Sequence, residues 1–538
     1  MAWDKGMESM ASQIDAATLK RLIQEGQELA VLDAREEGEF GRSHLFWAVP
    51  CPLSKMEMRA RTLLPRRDVP VVCVDGGEGY AARLAAYLEG IGCTKVSVLT
   101  GGTPGWVAAG YVAFSGVNVP SKAFGEWVEH HYETPSVDPG ELKAMMDAGT
   151  DMVVLDSRPI DEFRRMTIPT AVNVPGGELV YRIGEFVTRP ETTVVVNCAG
   201  RTRSILGAQS LRSAGIPNKV VALRNGTMGW ELAGFACDRG RDVRYPEGTP
   251  AGLDDAFARA DRFARRNGVQ VTTRAELEKM RGDAKRTTYV LDVRDPAEYA
   301  AGHLYGSRSA PGGQLVQATD QWVAVRGARI VLIDDTGVRA RMTGGWLRQL
   351  GGWDVYVLAD GLEGRLEEGF WKPDCPEADA VKVPHVTVPE LAVLAAEGAA
   401  QVVDLARSID FRDGHIPGAM WGIRTRLDRL AGQITGDRQV VVAAPEEAQA
   451  RLAAKELLGF AKAPVKVLTG GTAAWKAAGF PLEADRAVPA DADCADFYLR
   501  PYDRNSGIEE AMREYLSWEI DLVHEVEKDG DAPFGLWV

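Results

Sequence analysis

Short apolar runs that close on an aspartate recur four times along the chain. They read Val31-Leu32-Asp33-Ala34-Arg35, Val154-Leu155-Asp156-Ser157-Arg158, Val290-Leu291-Asp292-Val293-Arg294 and Val402-Val403-Asp404-Leu405-Ala406. An aromatic follows each at matching distance (Phe40, Phe163, Tyr299, Phe411), then a turn with His44, His303 or His415, replaced by Thr167 in the second copy. Each copy continues with another apolar strand, a loop and a helical run such as Ala208-Gln209-Ser210-Leu211-Arg212. A last strand and glycine turn close the unit, as in Val98-Leu99-Thr100-Gly101-Gly102 and Val467-Leu468-Thr469-Gly470-Gly471. Trp106, Trp230 and Trp475 follow that turn, with Arg365 in the third copy, and are expected in the core. β-branched strands alternating with amphipathic helices predict α/β units, each around a mostly parallel sheet.

The spacing of about 110–135 residues is too long for a solenoid and fits whole small domains. The units are placed at 8–118, 130–242, 268–376 and 384–488, followed by a tail at 489–538. Linkers are expected near 112–137, 238–268 and 372–386, with a connecting helix over Asp254–Arg266. The tail does not repeat, and its run from Glu509 to Trp518 has the apolar spacing of a helix that packs back on the body.

Composition narrows the function. With 45% hydrophobic and 26% charged residues the chain reads as globular, and no run approaches the roughly 20 apolar residues of a membrane span. A net charge of −14 argues against a nucleic-acid or anionic-membrane partner, but leaves room for a small anion held by local cations. Met1-Ala2-Trp3-Asp4-Lys5 lacks the apolar core of a secretory signal. Seven scattered cysteines without a CxxC pair favour a reducing compartment, the cytoplasm, over a disulfide framework or a zinc site. No metal, nucleotide or flavin signature is present, so no cofactor is expected.

One copy stands apart chemically. Its second strand runs Val194-Val195-Val196-Asn197 into Cys198, then Ala199, Gly200, Arg201, Thr202, Arg203 and Ser204. The other copies place Asp75, Asp335 and Ala444 at the matching position, and neither a carboxylate nor a methyl can act as a thiolate. A loop leaving a strand and entering a helix turns successive N–H groups into one concavity, which stabilises an anion. Cys198 is the candidate nucleophile, and Ala199, Gly200, Arg201, Thr202, Arg203 and Ser204 are the candidate substrate-binding residues. Arg201 and Arg203 are expected to present guanidinium forks to an oxyanion. Lowering the thiol pKa by about two units gains only a few-fold in rate once nucleophilicity falls with it. The cradle is therefore expected to act mainly by holding an anionic substrate and the charge that develops in the transition state. The arginines after the first-strand aspartates are expected to be structural. Cys73, Cys93 and Cys237 are expected to be buried, and Glu178 to face the site or lie in a solvated loop.

Together the LD-x-R strand, the Gly414-His415-Ile416-Pro417-Gly418-Ala419 turn, the cysteine loop ending in Arg203-Ser204 and the L-x-GG-x-x-x-W closure resemble the rhodanese family of sulfurtransferases. The resemblance covers the chain to about residue 488. It implies an α/β fold of four tandem rhodanese-like domains, each a mostly parallel five-stranded sheet flanked by helices, plus the C-terminal helical tail. It also implies a persulfide on Cys198, formed from thiosulfate or a related small anionic sulfur donor and passed to a thiol, cyanide or a sulfur-accepting protein. The first, third and fourth domains are then expected to be inactive. Gly200 stands two residues after the cysteine where the family often has glycine at three, and the second copy lacks the turn histidine. Two further readings stay open: a protein-interaction scaffold, and a phosphatase or arsenate reductase. The last wants five residues between cysteine and arginine, whereas four separate Cys198 from Arg203.

Overall fold

Four main sheets, one per repeat, and a small antiparallel pair of His303–Leu304 with Leu366–Glu367 in the third repeat carry the chain in a computed structural model that describes residues 11–535. Residues 1–10 and 536–538, which include the start of the first predicted unit and the end of the tail, lie outside the described residues. In the second repeat the order is Ser136–Val137, Val220–Leu223, Thr193–Asn197, Met152–Asp156, Val172–Asn173, every pair parallel. The third and fourth repeats have the same five-stranded parallel order. Helices cover both faces, which is why Leu29–Asp33 and Thr193–Asn197 are buried at every residue and read as apolar runs without alternation.

The first sheet departs from five strands. Val325–Arg326, from the third repeat, pairs antiparallel with Ala30 and Leu29 at its edge. Tyr289 locks this junction: its hydroxyl donates to the Leu63 carbonyl (2.5 Å) and accepts from Val325 N (3.2 Å). The second and third repeats meet through equivalent glycine pairs, and a Cβ on Gly177 would lie 2.9 Å from Gly313 N. The first and fourth are joined by the buried Arg424, whose Nη1 and Nη2 donate to Glu57 at 2.7 and 2.6 Å. One apolar cluster runs through the first three repeats, while the fourth has two of its own and meets the first in a small cluster of Met58, Cys375, Ala378 and Leu452.

Two segments outside the repeats position the site. The connecting helix forms over Leu253–Arg266 as expected. The region 112–137, expected to be a linker, holds the helix Val119–Tyr132, whose Lys122 and Glu126 are buried. Gly125 at its centre and the charges on its buried face blur the helical pattern in the sequence, while Pro120 stands in the first turn, where proline is tolerated. The tail forms the helix Ile508–Asp529, with Leu522 and Val526 buried. Trp518 lies against Gly116, where a Cβ would come within 2.4 Å of the indole. Lys20 ties the far end to Asp529 (3.1 Å) and Asp531 (2.7 Å).

Candidate active site

Cys198 leaves the carboxyl end of the central strand, where ligand sites of parallel sheets form. The helix Thr202–Ala214 starts directly after the loop and stops at Gly215, in the left-handed region (φ 75°). The loop is pinned from below: Thr227 N donates to the Cys198 carbonyl (2.9 Å) and Met228 N to that of Ala199 (3.0 Å). The thiol donates to Ser204 Oγ (3.5 Å), which donates to the Arg201 carbonyl (2.8 Å). Among the described residues the N–H groups from Ala199 to Arg203 donate to no protein acceptor, so they remain available to an anion.

Although Cys198 is only 2% exposed, it opens onto a cavity of about 270 Å³. The walls come from far along the chain: Lys122 of the 119–132 helix, Gln317 of the third repeat, and Arg500, Tyr515 and Glu519 of the tail. Burial raises the Cys198 thiol above its ordinary range, Arg203 and the Ser204 hydrogen bonds pull it back, and Glu519 raises it further. The resting site therefore does not lower the thiol pKa.

The loop arginines differ from expectation. Arg203 is bound in both arms by Glu162 (2.8 and 2.7 Å), and Glu162, which burial alone would raise, is held at about 2 chiefly by that guanidinium. Arg201 is gripped by Glu126 (2.7 Å from both Nε and Nη2), by Glu129 and by Asn225 (3.2 Å). Their forks are committed to carboxylates that approach from outside the loop. Neither can offer a free bidentate clamp, although Arg203 still lends positive charge to the sulfur.

Lys122 and Glu519 form a second charged couple. The Lys122 ammonium donates to the Tyr515 hydroxyl, stands 3.7 Å from Glu519 Oε1, and is lowered by burial to about 8, with Glu519 opposing the shift and Arg500 and Arg203 adding to it. Glu519 Oε2 has no hydrogen-bond partner and would touch a Cβ on Gly200 at 2.9 Å, so glycine there admits the carboxylate. Removing this charge lowers the thiol pKa and enlarges the thiolate fraction at any pH below it. Glu519→Gln is thus expected to speed alkylation of Cys198 by iodoacetamide about two- to threefold at pH 8, once the lower nucleophilicity of a less basic thiolate is counted. An unchanged or slower rate would show that Glu519 does not act on the sulfur.

The sister copies show where an anion belongs. Strand register pairs Asp156 with Asn197, Asp33 with Val74, Asp292 with Ile333 and Asp404 with Ala443. The residues matching Cys198 are therefore Asp75, Asp334 and Ala444. Asp334 corrects the expected Asp335, an ambiguity created by the Asp334-Asp335 doublet. Asp75 accepts from Gly77 N (2.9 Å) and Ala81 N (2.9 Å). Asp334 accepts from Gly337 N (2.7 Å), Arg339 N (2.9 Å) and Ala340 N (3.3 Å). Ala81 and Ala340 stand six residues on, as Ser204 does from Cys198, and the Ser204 N–H likewise turns to the sulfur. Two sister loops thus aim N–H groups at a buried carboxylate in the place of the sulfur. Burial there is costly: the Asp334 carboxyl is pushed up to about 6 despite Arg339.

Other expectations resolve by contact. Arg35, Arg158 and Arg294 each pair with the aspartate two residues before (2.5, 2.7 and 2.7 Å), and are structural. The tryptophans are buried, with Trp230 Nε1 donating to the Ala236 carbonyl (3.0 Å). Cys73 and Cys93 are buried, whereas Cys237 is half-buried. Glu178 is neither solvated nor beside Cys198; it is buried between Arg339 (3.0 Å) and Arg182 (3.1 Å) at the contact of the second and third repeats. Lys122, Glu126, Tyr515, Glu519 and Arg500 had no signal in the repeat pattern, because none belongs to a repeat.

The rhodanese-like domain family matches at residues 15–109, 138–233, 273–368 and 387–478, and the chain belongs to that family. Over its length it is similar to a thiosulfate sulfurtransferase from Pseudomonas aeruginosa, 42% identical, covering 97% of this chain and 99% of that one, with a TM-score of 0.89. The Alr3790 protein from Anabaena is 30% identical over 18% of this chain and 81% of that chain, with a TM-score of 0.18. A curated HTH-type transcriptional regulator from Mycobacterium tuberculosis is 30% identical over 106 residues, which is 20% of this chain. The chain spans 45% of the length of that curated relative.

Proposed function

We propose that the protein is a sulfurtransferase that moves sulfane sulfur from thiosulfate or a related donor to a thiophilic acceptor through a persulfide on Cys198. The carrying observation is the position itself: two sister loops hold a carboxylate where only Cys198 can carry sulfur. The Cys198 thiolate attacks the outer sulfur of thiosulfate; a Cys–S bond forms, the donor S–S bond breaks, and sulfite leaves with the bonding pair. A cyanide or thiolate then takes the outer sulfur and returns the Cys198 thiolate. The free N–H groups from Ala199 to Arg203 hold the persulfide anion, which is larger than the thiolate and reaches into the cavity. The similarity to the Pseudomonas aeruginosa enzyme supports the same reading.

A scaffold role for the other repeats is favoured only in part. The third repeat and the tail line the cavity around Cys198, which gives them a structural share in the site. Arg203, fully engaged by Glu162, argues against a phosphatase that needs a free arginine for a tetrahedral oxyanion. Among the described residues no helix is long and apolar enough to cross a membrane. The test is a peptide-resolved mass spectrum after incubation with thiosulfate. One added sulfur atom at Cys198, lost on treatment with cyanide, is expected; protein without added sulfur overturns the proposal.

A further inference from the structure

The donor proposed above is a dianion, yet the loop's two arginines have their forks filled by carboxylates. The remaining cations of the cavity are mostly committed as well. Arg158 pairs with Asp156 (2.7 Å), Arg165 with Asp503 (2.9 Å) and Arg239 with Glu231 (3.6 Å). Arg486 spends a donor on the Tyr502 carbonyl (3.1 Å). Arg500 differs: it lines the cavity with Cys198, and among the described residues its guanidinium makes neither an ion pair nor a hydrogen bond.

Its backbone, by contrast, is firmly rooted. Tyr498 N donates to Glu37 of the first repeat (3.2 Å), and the Tyr502 hydroxyl to Thr227 of the second (3.3 Å). Arg412 of the fourth repeat donates to the Asp503 carbonyl (3.2 Å), and Arg500 N donates to the Asp503 carboxylate (3.1 Å). A rooted backbone keeps this guanidinium, whose fork is unfilled and whose nearest ring contact is Phe497 at 6.0 Å, at the wall of the cavity where an anion can be met bidentately. Its charge reaches the site: Arg500 counts among the causes that hold Lys122 and Glu162 down.

We propose that Arg500 is the donor-binding cation of the Cys198 cavity, seating the sulfonate end of the donor so that its outer sulfur faces the thiolate. The assignment rests on the sulfurtransferase reading for the identity of the donor, but not for the capture of an anion beside Cys198. It also gives the non-repeating tail a chemical task that the catalytic repeat cannot perform alone.

The test uses the full chain with Arg500→Gln and Arg500→Lys, and reads Cys198 alkylation by iodoacetate, an anion, against iodoacetamide, its neutral analogue. Arg500→Gln is expected to lower the ratio of the iodoacetate rate to the iodoacetamide rate about tenfold, with Arg500→Lys recovering part of the loss. In the same variant KM for thiosulfate should rise by a similar factor, and the rise should shrink at high salt. Division by the iodoacetamide rate removes any change in the thiolate itself, and an unchanged melting temperature separates the effect from misfolding. An iodoacetate-to-iodoacetamide ratio equal to that of the wild type overturns the proposal, whatever thiosulfate does. If the ratio falls while the wild type takes no sulfur from thiosulfate, Arg500 stands as the anion site and the choice of donor is what fails.

Discussion

Cys198→Asp is expected to abolish sulfur transfer completely and yet melt no lower than Cys198→Ala. The loss is chemical, since a carboxylate cannot accept a sulfane sulfur and release it. The retained stability follows from the first and third repeats, where Asp75 and Asp334 already occupy this position and take N–H groups from the following loop and helix. Alanine leaves those donors without an acceptor, at a cost of about 1–3 kcal/mol if water cannot reach them. Aspartate meets the same burial that raises the Asp334 carboxyl, so the two effects oppose and a large gain is not expected. Thermal melts of the two variants beside a thiosulfate:cyanide assay decide the matter. An aspartate variant melting well below the alanine variant would show that the second loop does not aim its amides as its sisters do.

Gly226→Ala is expected to reduce kcat/KM about a hundredfold, because misplacement of a nucleophile by about 1 Å has that consequence. Gly226 lies at φ 55°, and a Cβ there would stand 2.3 Å from the Cys198 carbonyl oxygen and 2.9 Å from its carbonyl carbon. Those atoms are backbone, held by the Thr227 N–H, so relief requires moving the cysteine loop itself. Strain and clash together are expected to cost about 2–4 kcal/mol of stability. Gly471 provides the control: it sits at φ 57° with the Ala444 carbonyl 2.3 Å from its would-be Cβ, in a copy without a nucleophile. Gly471→Ala should lose comparable stability and keep transfer. Full activity in Gly226→Ala would mean that this contact does not set the position of the sulfur.

The sheets were legible because their signals are local. An apolar run ending in aspartate, a strand-to-helix loop and a glycine closure each announce themselves within a few residues and recur in order. The candidate nucleophile was legible for the same reason, being a cysteine at a strand end followed by Gly200 and two arginines. The partners of those arginines were not. Glu126 and Glu129 belong to a helix whose pattern is weakened by Gly125 and whose buried face carries charge, which defeats a hydrophobic-period reading. Lys122, Arg500 and Glu519 reach the cavity only through tertiary packing across hundreds of residues, and a repeat alignment has nothing to say about residues outside the repeats. The one-residue slip at Asp334 shows the limit even inside a repeat: two adjacent aspartates are equivalent in sequence, and only strand pairing tells them apart.

The strand borrowed by the first sheet bears on how the protein is born. Val325–Arg326 covers Leu29 and Ala30, about 300 residues earlier, at the end of an edge whose other residues, Val31–Asp33, pair with Ala48–Pro50. At ribosomal speeds of about 5–20 residues per second, that edge waits roughly 15–60 s for its cover. During that interval an unpaired strand border is open to wrong partners, including nascent copies of itself. Expression of the amino-terminal half alone would make the interval permanent, so its solubility should depend on supplying the missing strand.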